Sequence, residues 1–148
     1  MATLTDGFED LGLGTYKNID RPHFALEVPS NTLTQLQAVK DPLAEISKGT
    51  WVKYKWGSHF GENDTLTMTL KGGDVRSVSF VNYRSTAGDP CQFFDADGTL
   101  LGSAKLPAKS LVPVVCASST APIKTIKVSI AGGPGVFIAF DNVVIETD

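Results

Sequence analysis

GVFIAFDNVVIE, at residues 135–146, is the most apolar run in this chain of 148 residues. Its β-branched and aromatic residues are typical of a β-strand buried in a protein core. Asp141 and Asn142 interrupt the run, and a carboxylate in such a place is costly unless a partner compensates it. The stretch therefore predicts a core strand and a site at which this carboxylate is compensated.

A similar interruption lies near the start of the chain, in GFEDL at residues 7–11. Glu9 and Asp10 stand there beside apolar residues, as Asp141 and Asn142 do at the other end. We predict that residues 7–11 form the first strand. We also predict that this strand lies beside the last one and that the two ends share a site.

Between the two ends, apolar residues recur with a period of two. Segment 65–70 alternates threonine with Leu66, Met68 and Leu70, which is typical of a strand with one buried face. Similar patterns separated by Gly- and Pro-containing turns cover residues 23–28, 51–56, 75–83, 91–94, 99–106, 111–116 and 123–130. Together these patterns predict an all-β antiparallel sandwich of about nine or ten strands.

Three segments depart from the strand pattern. Residues 12–22 are predicted to form a loop, and residues 33–39 do not alternate cleanly. DPLAEISKG at 41–49 starts with a capping residue, has Pro next and ends in Gly, which favours at most one short helix. No repeat or linker divides the sequence, so we expect one domain over residues 1–148, either whole or excised from a longer protein.

The composition argues against several classes of partner. A formal net charge of −3 and a pI near 5.3 disfavour a nucleic-acid-binding surface and a polybasic membrane patch. No apolar run approaches the roughly 20 residues that a membrane-spanning helix needs. We therefore expect neither nucleic-acid binding nor membrane insertion.

The motifs of common enzymes are missing from the sequence. It has no G-x-S-x-G nucleophile elbow, no phosphate-binding loop and no dinucleotide-binding motif. His23 and His59 are the two histidines, and their spacing from the two cysteines offers no zinc site. No pair of carboxylates is marked out for glycoside hydrolysis. We expect a protein that is not an enzyme, with a glycan-acting hydrolase as the weaker alternative.

Three motifs resemble a known group of domains: GFEDL at 7–11, FFDADGTLLG at 93–102 and FIAFDNVVI at 137–145. They are similar to β-jelly-roll domains of the galactose-binding-like fold, which include carbohydrate-binding modules and PEP-CTERM-type exported bacterial surface-protein domains. The resemblance implies a jelly-roll sandwich, a lectin-like binding module for carbohydrate or a cell-surface glycan, and an extracellular or cell-surface location. The alternative is a structural or adhesion module of a larger protein, without a small ligand of its own.

The resemblance also implies a structural Ca²⁺ where the terminal strands meet. Carried over residue by residue, the candidate ligands are Glu9, Asp10 and Asp141, with Asn142 or backbone carbonyls completing the shell. Ca²⁺ takes about six to eight oxygens from carboxylates and carbonyls, which agrees with this set. The alternative is that Asp141 and Asn142 bond backbone groups at a bulge while Glu9 and Asp10 are solvated.

An aromatic cluster at residues 51–60 is the clearest candidate for ligand contacts, because exposed Trp and Tyr rings combine an apolar face with a polar edge. The candidate ligand-binding residues are Trp51, Tyr54, Trp56, His59, Tyr83 and Arg84. Alternatively, Tyr54 and Trp56 belong to the core and Trp51 covers a sheet edge.

Cys91 and Cys116 lie in or beside strand patterns. They form either a disulfide between neighbouring strands, as suits an exported protein, or two buried free thiols. The sequence leaves both alternatives open.

Overall fold

The computed structural model of this protein describes residues 2–29, 35–40, 49–55, 64–130 and 138–148. These residues form strands and no helix, which confirms the all-β prediction. The strands are β1 (Ala2–Asp6), β2 (Gly14–Tyr16), β3 (Asn18–Asp20), β4 (Phe24–Glu27), β5 (Gln35–Lys40), β6 (Thr50–Lys55), β7 (Asp64–Leu70), β8 (Val75–Arg84), β9 (Gly88–Phe94), β10 (Leu100–Leu106), β11 (Val114–Ala117), β12 (Thr125–Ile130) and β13 (Ile138–Thr147). Most of the predicted short helix, residues 41–48, lies outside the described residues. The described part contains no helix that could span a membrane.

Two antiparallel sheets pack face to face. The larger sheet has the order β11-β8-β13-β6-β5-β2, with β1 added against β13, and the smaller sheet has the order β10-β9-β12-β7-β4-β3. Apolar side chains from the inner faces of both sheets form one core, which includes Leu66, Phe80 and Phe140. The fold is therefore the predicted β-sandwich.

Strands β6 to β13 form one long hairpin that is folded over on itself. Starting from the turn at residues 95–98, the antiparallel pairs β9·β10, β8·β11, β7·β12 and β6·β13 follow one another outward. When this hairpin folds over, successive pairs go to alternate sheets: β8·β11 and β6·β13 belong to the larger sheet, and β9·β10 and β7·β12 to the smaller one. This is the arrangement of a jelly roll. Strands β2 to β5 extend the sheets beyond β6 and β7.

Asp95 fixes the turn at the tip of this hairpin. Its Oδ1 accepts hydrogen bonds from the backbone amides of Asp97 and Thr99, both at 2.9 Å. Gly98 has a φ of 81°, a conformation that glycine adopts without steric cost. The sequence DADG is thus a hairpin turn, as predicted.

The start of the chain differs from the prediction, because the first strand is β1 and residues 7–11 form a turn. Asp6 Oδ1 accepts a hydrogen bond from the amide of Phe8 at 2.9 Å, and Phe8 has a φ of 60°. This turn buries the Phe8 ring, which packs edge-on against Phe24 with 6.0 Å between ring centres. The mixture of apolar and acidic residues in GFEDL therefore reflects a turn that buries one ring.

Short strands account for the remaining differences. The predicted loop at 12–22 contains β2 and β3, and the ambiguous segment 33–39 overlaps β5. Strands of three residues carry too little alternation to be recognised in a sequence, so the described residues contain more strands than predicted.

The last strand, β13, lies inside the larger sheet. It pairs with β8 along one edge and with β6 and β1 along the other. Its register with β8 shifts between Asp141 and Val144, and Asn142 has a φ of 51°. These features define a β-bulge, which lets the strand continue past the polar pair while Val143 and Ile145 stay buried.

Cys91 in β9 and Cys116 in β11 contact each other across the core, one from each sheet. Their Sγ atoms are 3.8 Å apart, and both side chains are fully buried. Both are free thiols in the structure, so the disulfide stays a prediction.

Asn82 is a buried amide on the core face of β8, opposite Phe140 of β13. Neither Nδ2 nor Oδ1 of Asn82 has a hydrogen-bond partner within the part of the chain that the structure describes. A buried amide without partners costs free energy, because water can no longer bond it.

We predict that Asn82→Leu stabilises the protein by about 1–3 kcal/mol, because it replaces an unpaired amide by an apolar side chain of similar shape. Urea denaturation measures the free energy of unfolding. Asn18→Leu, at an exposed position of β3, is the matched control and should change stability little. A loss of stability in Asn82→Leu would contradict the prediction.

Candidate functional site

The two ends of the chain meet, as predicted, although through β1 and the turn after it. β1 runs antiparallel to β13, with Asp6 opposite Val143. The turn then places Gly7 beside the bulge. A Cβ atom on Gly7 would lie 3.7 Å from Oδ1 of Asn142 and 3.9 Å from Oδ1 of Asp141.

Arg21 compensates two of the acidic side chains at this junction. Its Nε and Nη2 bond the Asp6 carboxylate at 2.7 and 2.9 Å, and Nη2 also bonds Asp10. The hydrogen bond with Asp6 raises the pKa of Arg21, and the hydrogen bond with Arg21 lowers the pKa of Asp10. Asp10, predicted as a calcium ligand, is therefore bound to an internal cation.

Arg21 was missed by the sequence analysis because it lies in a segment predicted as loop. Its guanidinium is buried and lies 5.8 Å from the centre of the Phe8 ring. In the sequence, Arg21 is a basic residue that lies between acidic and apolar segments. Such a pattern does not show which acidic side chains the arginine binds.

Glu9 joins the same junction to β6. Its Oε1 accepts a hydrogen bond from the backbone amide of Thr50 at 3.1 Å. The carboxylate also lies against Gly49, which has a φ of 115° and leaves no room there for a side chain. Glu9 is thus an exposed residue whose carboxylate is tied to β6 by one hydrogen bond.

Asp141 retains a carboxylate oxygen that nothing in the described structure bonds. The side chain is 3% exposed, and its Oδ1 has no hydrogen-bond partner among the described residues. Burial raises the pKa of Asp141 to about 6, and the nearby charges of Glu9 and Asp6 act in the same direction. A hydrogen bond with the Asn142 backbone opposes this shift.

We predict that Asp141 makes the protein less stable as the pH rises from about 4 to 6. Its pKa is about 6 in the folded protein against an ordinary 3.8, so between these values the folded state binds more protons than the unfolded state. The stabilising contribution of Asp141 to the free energy of unfolding is therefore fully present below about pH 4. It falls by about 3 kcal/mol as the pH rises through 6.

Urea denaturation of wild type and Asp141→Asn across this pH range, with a chelator present, isolates the effect of Asp141. As the pH rises, Asp141→Asn should become more stable relative to the wild type. A difference that is independent of pH would contradict the prediction.

Two of the predicted ligand-binding aromatic residues, Trp51 and Tyr83, belong to the described structure, and both are buried. Trp51 is fully buried, in a second apolar cluster with Val81, Tyr83 and Ala139. Tyr83 is 7% exposed. The rings of Trp51 and Tyr83 are therefore core groups, in place of the predicted ligand contacts.

Arg84 also differs from its predicted role. It is 1% exposed, and its Nε donates a hydrogen bond to the carbonyl of Thr86 at 3.1 Å. Its guanidinium packs against Gly88, where a Cβ atom would collide with it. Trp56, His59 and the side chain of Tyr54 lie outside the described residues.

A row of polar residues crosses the outer face of the smaller sheet. Cross-strand register places six outward-facing side chains side by side, one from each strand, and we call them the polar row. The polar row consists of Asn18, Glu27, Thr67, Lys127, Gln92 and Ser103. Five strand spacings of about 4.8 Å make the row about 24 Å long.

A cleft of about 520 Å³ lies over one end of the polar row. It is lined by Asn18, Glu27, Val28, Pro29, Thr65, Thr67 and Lys127. The ammonium of Lys127 is 5.2 Å from the centre of the half-buried Phe94 ring, so an aromatic side chain lies beside the row. The alternating threonines of 65–70 were the sequence signal for this face, but cross-strand register was needed to assemble it.

The polar row offers both hydrogen-bond donors and acceptors. Glu27 accepts, Lys127 donates, and the amide and hydroxyl side chains do both. Such a surface suits an extended ligand with many hydroxyl groups.

The described residues contain no cluster of three or more His, Cys, Asp or Glu side chains that could hold a metal ion. Near the bulge, Oδ1 of Asp141 and Oδ1 of Asn142 lie close to Gly7, and the charges of Glu9 and Asp6 act on Asp141. Any cation there would need backbone carbonyls or water to complete its shell.

No family model and no curated protein matches the chain. Among solved structures, the enzymatically active domain of tailspike protein 4 from bacteriophage CBA120 is similar, with 13% sequence identity and a TM-score of 0.36. The match covers 84% of this chain and 18% of that one, so the chain spans less than a fifth of that protein's length. A likeness of this degree carries no argument about function.

Proposed function

We propose that this chain is a non-catalytic carbohydrate-binding module and that its binding surface is the outer face of the smaller sheet. The observation that supports this proposal is the polar row with its cleft of about 520 Å³. Polar side chains there would bond the hydroxyl groups of a glycan, and the Phe94 ring would pack against an apolar face of a sugar.

The rigidity of the site favours this function. The residues of the polar row belong to paired strands, and Thr67 is held between β4 and β12. A surface that is already ordered loses little conformational entropy when it binds a ligand. An extended glycan could therefore bind without rearranging the sheet.

The cleft favours binding over hydrolysis. Glu27 is the one carboxylate among the described residues that line it. Glycoside hydrolysis ordinarily needs two carboxyl groups that face each other across the scissile bond. A hydrolase remains the weaker alternative.

A second candidate function is adhesion within an extracellular or cell-surface assembly. Four exposed apolar side chains lie on or near the edge strands β10 and β11: Leu100, Leu111, Val112 and Val115. Exposed apolar residues at open sheet edges favour contact with a neighbouring module.

We also propose a structural Ca²⁺ at the bulge of β13. The buried Oδ1 of Asp141, which has no partner among the described residues, fits a cation, and Oδ1 of Asn142 lies beside the same glycine, Gly7. The negative charge of Glu9 also acts on Asp141, which favours a cation nearby. Asp10 is left out of this set because Arg21 binds it. The ion would supply positive charge to the junction of the two chain ends.

We predict that the protein binds polysaccharide through the polar row. A glycan array identifies the ligand, and affinity electrophoresis then compares variants. Lys127→Met and Glu27→Gln should each weaken binding about tenfold or more, because each removes a charge-assisted hydrogen bond. Lys105→Met, at an exposed position of β10 outside the row, is the matched control and should bind normally.

Two results would contradict this prediction. The first is a folded wild-type protein that binds no glycan. The second is glycan binding that both variants of the row retain in full, because the ligand would then lie elsewhere.

We predict that saturating Ca²⁺ stabilises the wild type, by about 2.7 kcal/mol when the ion is at 100 times its Kd. Thermal unfolding with Ca²⁺ or with a chelator measures the effect. Asp141→Asn should abolish it, whereas Asp10→Asn should retain it. No response of the wild type, or an undiminished response of Asp141→Asn, would rule the site out.

A further inference from the structure

We propose that Cys91 and Cys116 form a site of reversible oxidation that can link the two sheets covalently, and that small disulfides reach it when the edge strand β11 opens. The site is separate from the polar row and the bulge. It therefore does not depend on the proposed glycan or calcium binding.

The positions of the two sulfurs favour bond formation with little rearrangement. Their Sγ atoms are 3.8 Å apart, and each cysteine belongs to a different sheet. A disulfide bond is about 2.05 Å long, so the sulfurs must approach by less than about 2 Å. The new bond would join the sheets directly across the core.

The closed structure shields both thiols from solvent. Cys91 and Cys116 are each 0% exposed. An oxidant therefore reaches them only through a local opening or through global unfolding.

The strand β11 is an edge strand beside the two cysteines and can open at a lower cost than the interior strands. It is the edge strand of its sheet and pairs with β8 at four positions, from Val114 to Ala117. The strand that carries Cys91, β9, lies inside the smaller sheet between β10 and β12. Unpairing of β11 would therefore uncover Cys91 while β9 stays in place.

The chemistry is two successive thiol–disulfide exchanges, with glutathione disulfide as the oxidant. The Cys91 thiolate attacks one sulfur of glutathione disulfide, which gives a mixed disulfide and releases one glutathione thiolate. When β11 closes again, the Cys116 thiolate attacks the Cys91 sulfur and releases the second glutathione. The protein loses two electrons and two protons, and the oxidant becomes two glutathione thiols.

The roles of the two cysteines follow from their environment. In the closed structure the two Sγ atoms are within hydrogen-bonding distance, and this interaction lowers the pKa of Cys91. The same interaction and burial raise the pKa of Cys116. Because β9 stays in place while β11 opens and closes, we assign Cys91 as the attacking thiol and Cys116, which returns with β11, as the resolving one.

The first test incubates the reduced, folded chain with glutathione disulfide and follows the intact mass. The wild type should lose two hydrogens and both alkylatable thiols, and a reductant should reverse this change. Cys116→Ser should stop at the stage of one bound glutathione. A wild type that remains reduced, or that only accumulates the mixed disulfide, would overturn the proposal.

The second test asks whether the route is local. Val114→Ala weakens the packing of β11 and should speed oxidation about tenfold, because it raises the population of the open edge. Val52→Ala, a buried valine of β6, is the matched control and should leave the rate nearly unchanged. Equal acceleration by both variants would show that oxidation needs global unfolding and would overturn the edge route.

Discussion

The fold depends on the insertion of β13 between β8 on one side and β6 with β1 on the other. β13 closes the outermost pair of the folded hairpin, which joins segments far apart in sequence. Such a closure costs chain entropy. Burial of Ile138, Phe140 and Ile145 against the opposite sheet offsets that cost. The apolar character of β13 is therefore a requirement of the topology.

The polar pair within β13 explains the organisation of the chain ends. Asp141 and Asn142 form a bulge, and the turn after β1 brings Gly7 and Glu9 to it. Arg21 binds the neighbouring Asp6 and Asp10, so part of the acidic junction is neutralised by the protein itself. Within the described part of the chain, the buried Oδ1 of Asp141 is the oxygen of this junction that no hydrogen bond compensates, and the proposed Ca²⁺ would compensate it.

The sequence predicted the parts of the structure that depend on local pattern. Alternation in 65–70 gave the correct inner face of β7, and the apolar run gave β13. The sequence did not indicate the second apolar cluster: β6 lies inside the larger sheet, and Trp51 is buried there with Val81, Tyr83 and Ala139 rather than covering a sheet edge. The polar row and the pairing of Arg21 depend on contacts between distant segments, which a single sequence does not specify.

Hydrogen exchange of the backbone amides tests the central place of β13 most directly. If β13 closes the jelly roll, its amides and those of β8 should exchange most slowly, with a free energy of opening equal to that of global unfolding. The amides of the edge strand β11 should exchange through a smaller opening. Exchange of β13 at the rate of the edge strand, well before global unfolding, would contradict this account.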